Sequence, residues 1–218
     1  MIGRAWVLLV RNPVILVPGI VIGGISAGAE FGLDALPMDR WVADFALFIV
    51  TLALALAQMA YVTGMAGAAW RGGIATLRDG WEALKARTAS VAGAAALLLI
   101  IGFCAATLAP ATFAVTLLAY ALFFIYTMAA VVIGGRSPVA ALVESASTAL
   151  ANVLPTLGVV ALIVVIAIAG GALGSLAGRF SQLAGWLVAG LLQQVIVAYA
   201  SLVVAGEYLQ LTKRPTLL

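Results

Sequence analysis

The side chains that usually carry out chemistry are sparse in this sequence. Eleven basic and eight acidic residues stand among 218, with no histidine and one cysteine, Cys104. The serines at 26, 90, 137, 145, 147, 175, 181 and 201 would each need an adjacent base to act as a nucleophile. Without histidine, the commonest general base and metal ligand is missing. A Ser–Lys dyad needs a lysine near a membrane span, but Lys85 and Lys213 fall in polar stretches at the inner surface. An aspartyl pair needs two carboxylates at depth, whereas Asp44 starts one apolar segment and Glu207 ends another. No Asp, Glu or Cys cluster has ligand spacing, and a lone cysteine makes no intrachain disulfide. The glycine-rich "GGALGSLAG" at 170–178 has no following lysine, so it reads as close helix packing, like "GIVIGG" at 19–24. The expectation is a protein without catalytic residues, metal or cofactor.

Polar residues inside apolar runs remain as candidates. Gln58 falls within one such run, and Gln193 and Gln194 within another. An amide in hydrocarbon is costly unless paired, so these three face the bundle interior or another protein. They are either a patch that contacts a substrate or hydrogen bonds that fix helix register. Tyr61, Tyr126 and Tyr199 could line the same cavity or fill it. Thr51, Thr63, Thr116, Thr127 and Ser201 are weaker candidates.

The elements that would hold these residues follow from composition. Of the residues, 65% are hydrophobic and only 9% charged, against about 25% charged in a soluble domain. Apolar runs near the roughly 20 residues needed to cross a bilayer core recur. They predict an all-α polytopic bundle, one integral membrane domain over 1–218, with spans near 13–29, 42–68, 89–109, 111–134, 154–177 and 184–206. The N-terminal "MIGRAWVLLVRNPVILVPGIVIGG" is interrupted by Arg11, Pro13 and Pro18 and lacks a clear A-x-A site, so it reads as a retained first span. "EFGLDALPMDRW" makes an acidic outer loop, with Asp44 nearby, and "LAPAT" around Pro110 a tight hairpin. With both termini inside, Arg4, Arg11, Arg71, Arg78, Lys85, Arg87, Arg136, Lys213 and Arg214 lie on the inner side, and only Arg40 and Arg179 on the outer. That bias satisfies the positive-inside rule. A bacterial cytoplasmic (inner) membrane is the expected location, with anionic lipids attracted to the inner face. Nucleic-acid signatures are absent.

The most polar stretch, "WRGGIATLRDGWEALKARTAS" at 70–90, joins the second and third spans. At about 100° per residue, Ile74, Leu77, Trp81 and Leu84 share a face, with Arg78 and Lys85 at its edge and Asp79 and Glu82 pointing away. Arg78 and Glu82 form an i,i+4 pair. The pattern predicts an amphipathic helix over 73–87 in the membrane interface, either a site for lipid or partner through Arg71, Arg78, Trp81, Lys85 and Arg87, or a plain connector. A second such helix is expected over 138–152, after Arg136, a further candidate lipid or partner contact, with Pro138 in its first turn. Its apolar side is Val139, Leu142, Val143, Ala146 and Leu150. Residues 61–87 align with 126–152 at a shift of 65, pairing Tyr61 with Tyr126 and Arg71 with Arg136. A truncated copy begins near Tyr199, and "RNPVILVPG" parallels "ANVLPTLG". Two spans per unit make this a weak parallel repeat.

"RNPVILVPG", "AWRGGIATLRDGWEAL" and "GRSPVAALVESASTALANVLPTLG" resemble bacterial six-span membrane proteins grouped with the membrane domain of glycerophosphoryl diester phosphodiesterases, and related families of unknown function. The resemblance implies the membrane fold alone. The phosphodiesterase is a separate soluble barrel needing histidines and acidic metal ligands, which this sequence lacks. The expected role is an accessory or scaffold subunit acting through membrane lipids and a protein partner or second copy. The alternative is a small transporter or lipid-handling permease for a neutral or lipidic substrate. Proton coupling is disfavoured because no carboxylate falls at mid-depth.

Overall fold

The computed structural model describes residues 1–34, 39–108 and 113–212, apart from the side chains of 26–34, 43, 44, 48, 51, 52, 105–108, 113, 114, 182–184, 186 and 187. The side chains of Ser26, Glu30, Asp34, Asp44 and Thr51, the Pro110 hairpin, Lys213 and Arg214 lie outside the described residues. Regular structure among the described residues is entirely helical: α1 (Ile2–Arg11), a 3-10 turn (Pro13–Leu16), α2 (Val17–Asp34), α3 (Arg40–Gly72), α4 (Leu77–Leu108), α5 (Phe113–Phe124), α6 (Thr127–Val132), α7 (Pro138–Ala151), α8 (Val153–Gly178) and α9 (Gln182–Leu211). Among the described residues, four segments are long and apolar enough to cross a membrane: Leu77–Cys104, Val115–Val132, Val153–Gly178 and Val188–Leu211. A fifth arises if Ile2–Arg11 and Pro13–Ile25, bent by 90°, form one span. Helices of this length and composition mark a membrane protein.

The N-terminal stretch is not one continuous span. It turns by 90° at Asn12, because Pro13 disfavours helix at the preceding residue. The Asn12 side chain then holds the corner. Its amide nitrogen donates to the Leu8 carbonyl at 2.9 Å and the Gly73 carbonyl at 3.1 Å, and its oxygen accepts from the Ala75 N–H at 2.8 Å. Helix α1 buries Ala5, Leu8 and Leu9, an i,i+3,i+4 stripe, and leaves Trp6, Val7 and Val10 exposed.

At the end of α3, Gly73 takes a left-handed conformation (φ 79°), and its N–H caps the Ala69 carbonyl. The helix expected from residue 73 therefore starts at Leu77. Thr76 and Asp79 form a capping box before it: Asp79 Oδ2 accepts from the Thr76 N–H at 2.7 Å, and Thr76 Oγ1 from the Asp79 N–H at 3.3 Å. Ile74 is left in the turn, exposed. α4 is kinked at Arg87 (φ −129°, ψ 15°), whose φ, though not its ψ, matches those of Asn12 (−126°, 62°) and Asn152 (−134°, 48°). Each of the three residues follows a short helical stretch with an apolar side and precedes a longer apolar helix.

The segment expected as one span over 111–134 is broken into α5 and α6 at residues 125–126. The Ser145 hydroxyl, from α7, donates to the Phe123 carbonyl at 2.8 Å and accepts from the Tyr126 N–H at 3.1 Å. A side chain inserted into the backbone ladder is a recognised cause of helix breaks. α7 buries Ala141, Leu142, Ser145 and Ala149 and turns Val139, Val143 and Leu150 outward, so of its large apolar residues only Leu142 faces the bundle. The small residues permit close approach to α5 and α6. α9 continues to Leu211, beyond the expected end at 206, because Glu207 and Tyr208 are buried in the bundle. α8 and α9 are close enough that a Cβ on Gly185 would lie 2.6 Å from Gly178 Cα, the close packing expected of "GGALGSLAG".

Candidate functional site

The three glutamines do not gather in one place. Gln58, buried on α3, donates from Nε2 to Gln194 Oε1 on α9 at 2.6 Å. Gly19 on α2 makes the room: a Cβ there would lie 2.2 Å from Gln194 Oε1 and 2.9 Å from Gln58 Nε2. Gln193 is one residue, hence about 100°, around the same helix, and is exposed. The paired amides, Gln58 buried and Gln194 partly so, thus join α2, α3 and α9, while the third faces outward from the apolar segment Val188–Leu211.

The tyrosines are also separate, and each ties its helical segment to a neighbouring helix. Tyr61 donates to the Leu77 carbonyl at 2.5 Å, at the first residue of α4, with Gly80 against its ring. Tyr199 donates to the Ile2 carbonyl at 3.3 Å, at the first residue of α1, and meets Trp6 edge-on at 6.0 Å. Tyr126 is fully buried, with its hydroxyl 3.1 Å from Thr156 Oγ1 at the start of α8. These are structural contacts between helices.

The basic residues divide between two corners. At the α6–α7 turn, Arg136 is ion-paired through Nε to Glu144 Oε2, and the buried Tyr208 donates to Glu144 Oε1 at 2.6 Å. The Arg87 guanidinium lies beside Gly135, whose Cβ, if present, would be 2.7 Å from it. At the α3–α4 turn, Arg71 donates to the Gly67 carbonyl of its own helix at 3.1 Å, and Arg78 pairs with Glu82 at 2.6 Å with both side chains largely exposed. Lys85 has no carboxylate within ion-pair distance among the described residues.

Lys85 and Trp81 line an open groove between α3 and α4, of about 500 Å³. Its walls are otherwise apolar, from Ile49, Ala53 and Leu56 on α3 to Val91, Ala92 and Leu99 on α4, with Thr88 near the Lys85 end. None of the glutamines or tyrosines lines it. Sequence reasoning found Trp81 and Lys85 but missed the groove, which exists only once the alanines of two helices face each other. It also missed Asn12, Tyr208 and Trp70. The Trp70 indole donates to the Leu202 carbonyl at 2.7 Å and carries the Arg4 guanidinium 4.9 Å from its ring centroid. The "RNP" turn signal was available for Asn12; nothing local marks the other two. Among the described residues, no three His, Cys, Asp or Glu side chains group as a metal site. No protein-family model, curated protein or solved structure matches this chain.

Proposed function

We propose that this is a non-catalytic six-span protein of a bacterial inner membrane, with both termini cytoplasmic, serving as an accessory or scaffold subunit through protein partners and lipids. One observation carries the reading. Gln58 and Gln194 satisfy each other inside the bundle, whereas Gln193 stands outward from an apolar segment. An amide turned to hydrocarbon is costly, and a polar group on a neighbouring protein removes that cost.

Other features support the membrane arrangement. α2 and α3, of 18 and 33 residues, measure about 27 and 50 Å at 1.5 Å per residue, which supplies the two spans beyond the four apolar segments. The outward apolar residues of α1, early α4 and α7, such as Val10, Trp81 and Val143, suit helices lying in the interface. The similar kinks at Asn12, Arg87 and Asn152 agree with a parallel repeat of three units, each an interfacial helix followed by spans. Contacts from Asn12 to Gly73, Arg87 to Gly135 and Glu144 to Tyr208 link the turns that carry most of the basic residues, consistent with one cytoplasmic end.

The test is a photoreactive residue replacing Gln193 in native membranes. The expected result is one protein adduct of defined mass, a second copy or a distinct subunit, absent when the same group replaces Ile168 or Ile100, which are exposed on α8 and α4. Adducts to lipid alone overturn the reading. A small permease for a neutral or lipidic substrate is the second reading, favoured by the apolar groove between α3 and α4.

A further inference from the structure

We infer that the groove between α3 and α4 holds one anionic phospholipid, with an acyl chain along the alanines and its phosphate at Lys85. This goes beyond both functional readings: it needs the chain's place in a membrane, but neither a subunit's nor a permease's role. The groove, at about 500 Å³, is in the range of small-molecule sites, ~300–1,000 Å³. Its wall is graded along its length. From Thr88 to Leu99 the α4 side is apolar, and eleven helical steps cover about 16 Å. That is roughly half of a ~30 Å hydrocarbon core, the depth of one leaflet. The small side chains of Ala53, Ala57, Ala92 and Ala96 leave the space that a chain would fill.

The other end is built for a headgroup. The kink at Arg87 separates the apolar stretch from the turn of helix carrying Trp81 and Lys85. Trp81 is 57% exposed, suited to headgroup depth. Among the described residues, Lys85 is the one charged residue on the groove wall. Its neighbours do not compete for it: Glu82 is bonded to Arg78, and Asp79 to Thr76. The Thr88 hydroxyl donates into its own helix, to the Leu84 carbonyl at 2.8 Å. Lys85 therefore supplies the free donors, and its single positive charge selects an anionic headgroup over a zwitterionic one.

The purified full chain, in non-ionic detergent, is offered equal amounts of phosphatidylglycerol and phosphatidylcholine, and bound lipid is counted by native mass spectrometry. The expected result is one retained lipid per chain, with phosphatidylglycerol favoured about five-fold, the effect of one lysine at an anionic surface. Lys85→Ala should remove the preference and keep a lipid. Ala92→Phe and Ala96→Phe, at exposed positions of the groove wall, should each remove the lipid. Ile168→Phe, on α8, should change nothing. Arg71→Ala, a basic residue outside the groove, should keep the preference. The inference is overturned if the unaltered chain shows no bound lipid or no preference. It is also overturned if the groove-filling variants fold yet keep their lipid, or if Arg71→Ala matches Lys85→Ala, which would make the effect one of diffuse charge. Release of the chain from membranes by alkaline carbonate without detergent would instead refute the membrane placement itself, a separate result.

Discussion

At the α3–α4 turn and again at the α6–α7 turn, the chain leaves a helix through a glycine with positive φ, Gly73 at 79° as the cap of α3 and Gly135 at 69° three residues beyond α6, and another helix follows. The second corner is closed. Arg136, Glu144 and Tyr208 are bonded in series, Ser145 holds the broken backbone between α5 and α6, and Tyr126 is buried against Thr156. The first corner is open. Its one ion pair is exposed, Trp81 projects outward, and Lys85 faces a groove without a carboxylate partner among the described residues. One corner thus fastens the bundle and the other leaves an open surface. The difference comes from the residues at the surfaces where the helices meet. Ser145 and Ala149 let α7 sit close, whereas alanines on both α3 and late α4 leave a gap that neither helix fills.

Truncating the largest side chain of each corner tests the contrast most severely. Tyr126→Ala empties a fully buried site and takes one hydrogen-bond partner from the Thr156 hydroxyl, which keeps its bond to the Asn152 carbonyl, and should cost about 3–5 kcal/mol, as for other large buried aromatics. Trp81→Ala, at an exposed site, should stay within about 0.5 kcal/mol. Thermal unfolding in detergent, followed by near-ultraviolet circular dichroism, measures both. Equal losses would erase the distinction between closed and open corners.

The acidic residues give the next comparison. Glu144→Ala leaves the buried Tyr208 hydroxyl and the Arg136 guanidinium without their shared partner, a loss of about 1–3 kcal/mol. Glu82→Ala removes only an exposed pair, whose contribution is small and screened by salt, so the same melting experiment should show no resolvable change. A double variant, Glu144→Ala with Tyr208→Phe, should lose less than the two single losses combined, because the residues share one network. Additive losses would mean that the hydrogen bond between them contributes nothing.

How much of this was legible in the sequence depended on whether the signal was local. α7 and α8 were readable almost to the residue, because Pro138 starts one, Asn152 stops it, and an uninterrupted apolar run makes the other. Hydropathy missed the details that tertiary contacts set. It ended the last span before Glu207, which the bundle buries, and within the apolar segment Val115–Val132 it gave no sign of the break at residues 125–126, which Ser145 imposes from nineteen residues away. The N-terminal basic residues and prolines were read as interruptions of a span, when they mark the corner where α1 turns. At the candidate sites, Gln58, Gln194, Trp81 and Lys85 were visible as residue types out of keeping with their surroundings. Which of them would meet was not, because Gln58 and Gln194 are 136 positions apart and the groove is made of alanines, which carry no signal of their own.

The smallest effect, and the one that isolates the packing difference, comes from the two turn glycines. Alanine at either position must adopt positive φ, which costs roughly 1–2 kcal/mol for an L-residue. At Gly73 that is the whole penalty, because a Cβ there would meet no atom within 4 Å. At Gly135 the same Cβ would lie 2.7 Å from the Arg87 guanidinium, so Gly135→Ala must also displace Arg87 from the kink of α4. Gly135→Ala should therefore lower the melting midpoint more than Gly73→Ala. Adding Arg87→Ala to each should narrow that gap, because the clash goes while the backbone strain stays common to both. If the gap persists without Arg87, the closed corner is held by its backbone turn alone, and the contrast between the corners would rest on Glu144, Ser145 and Tyr126.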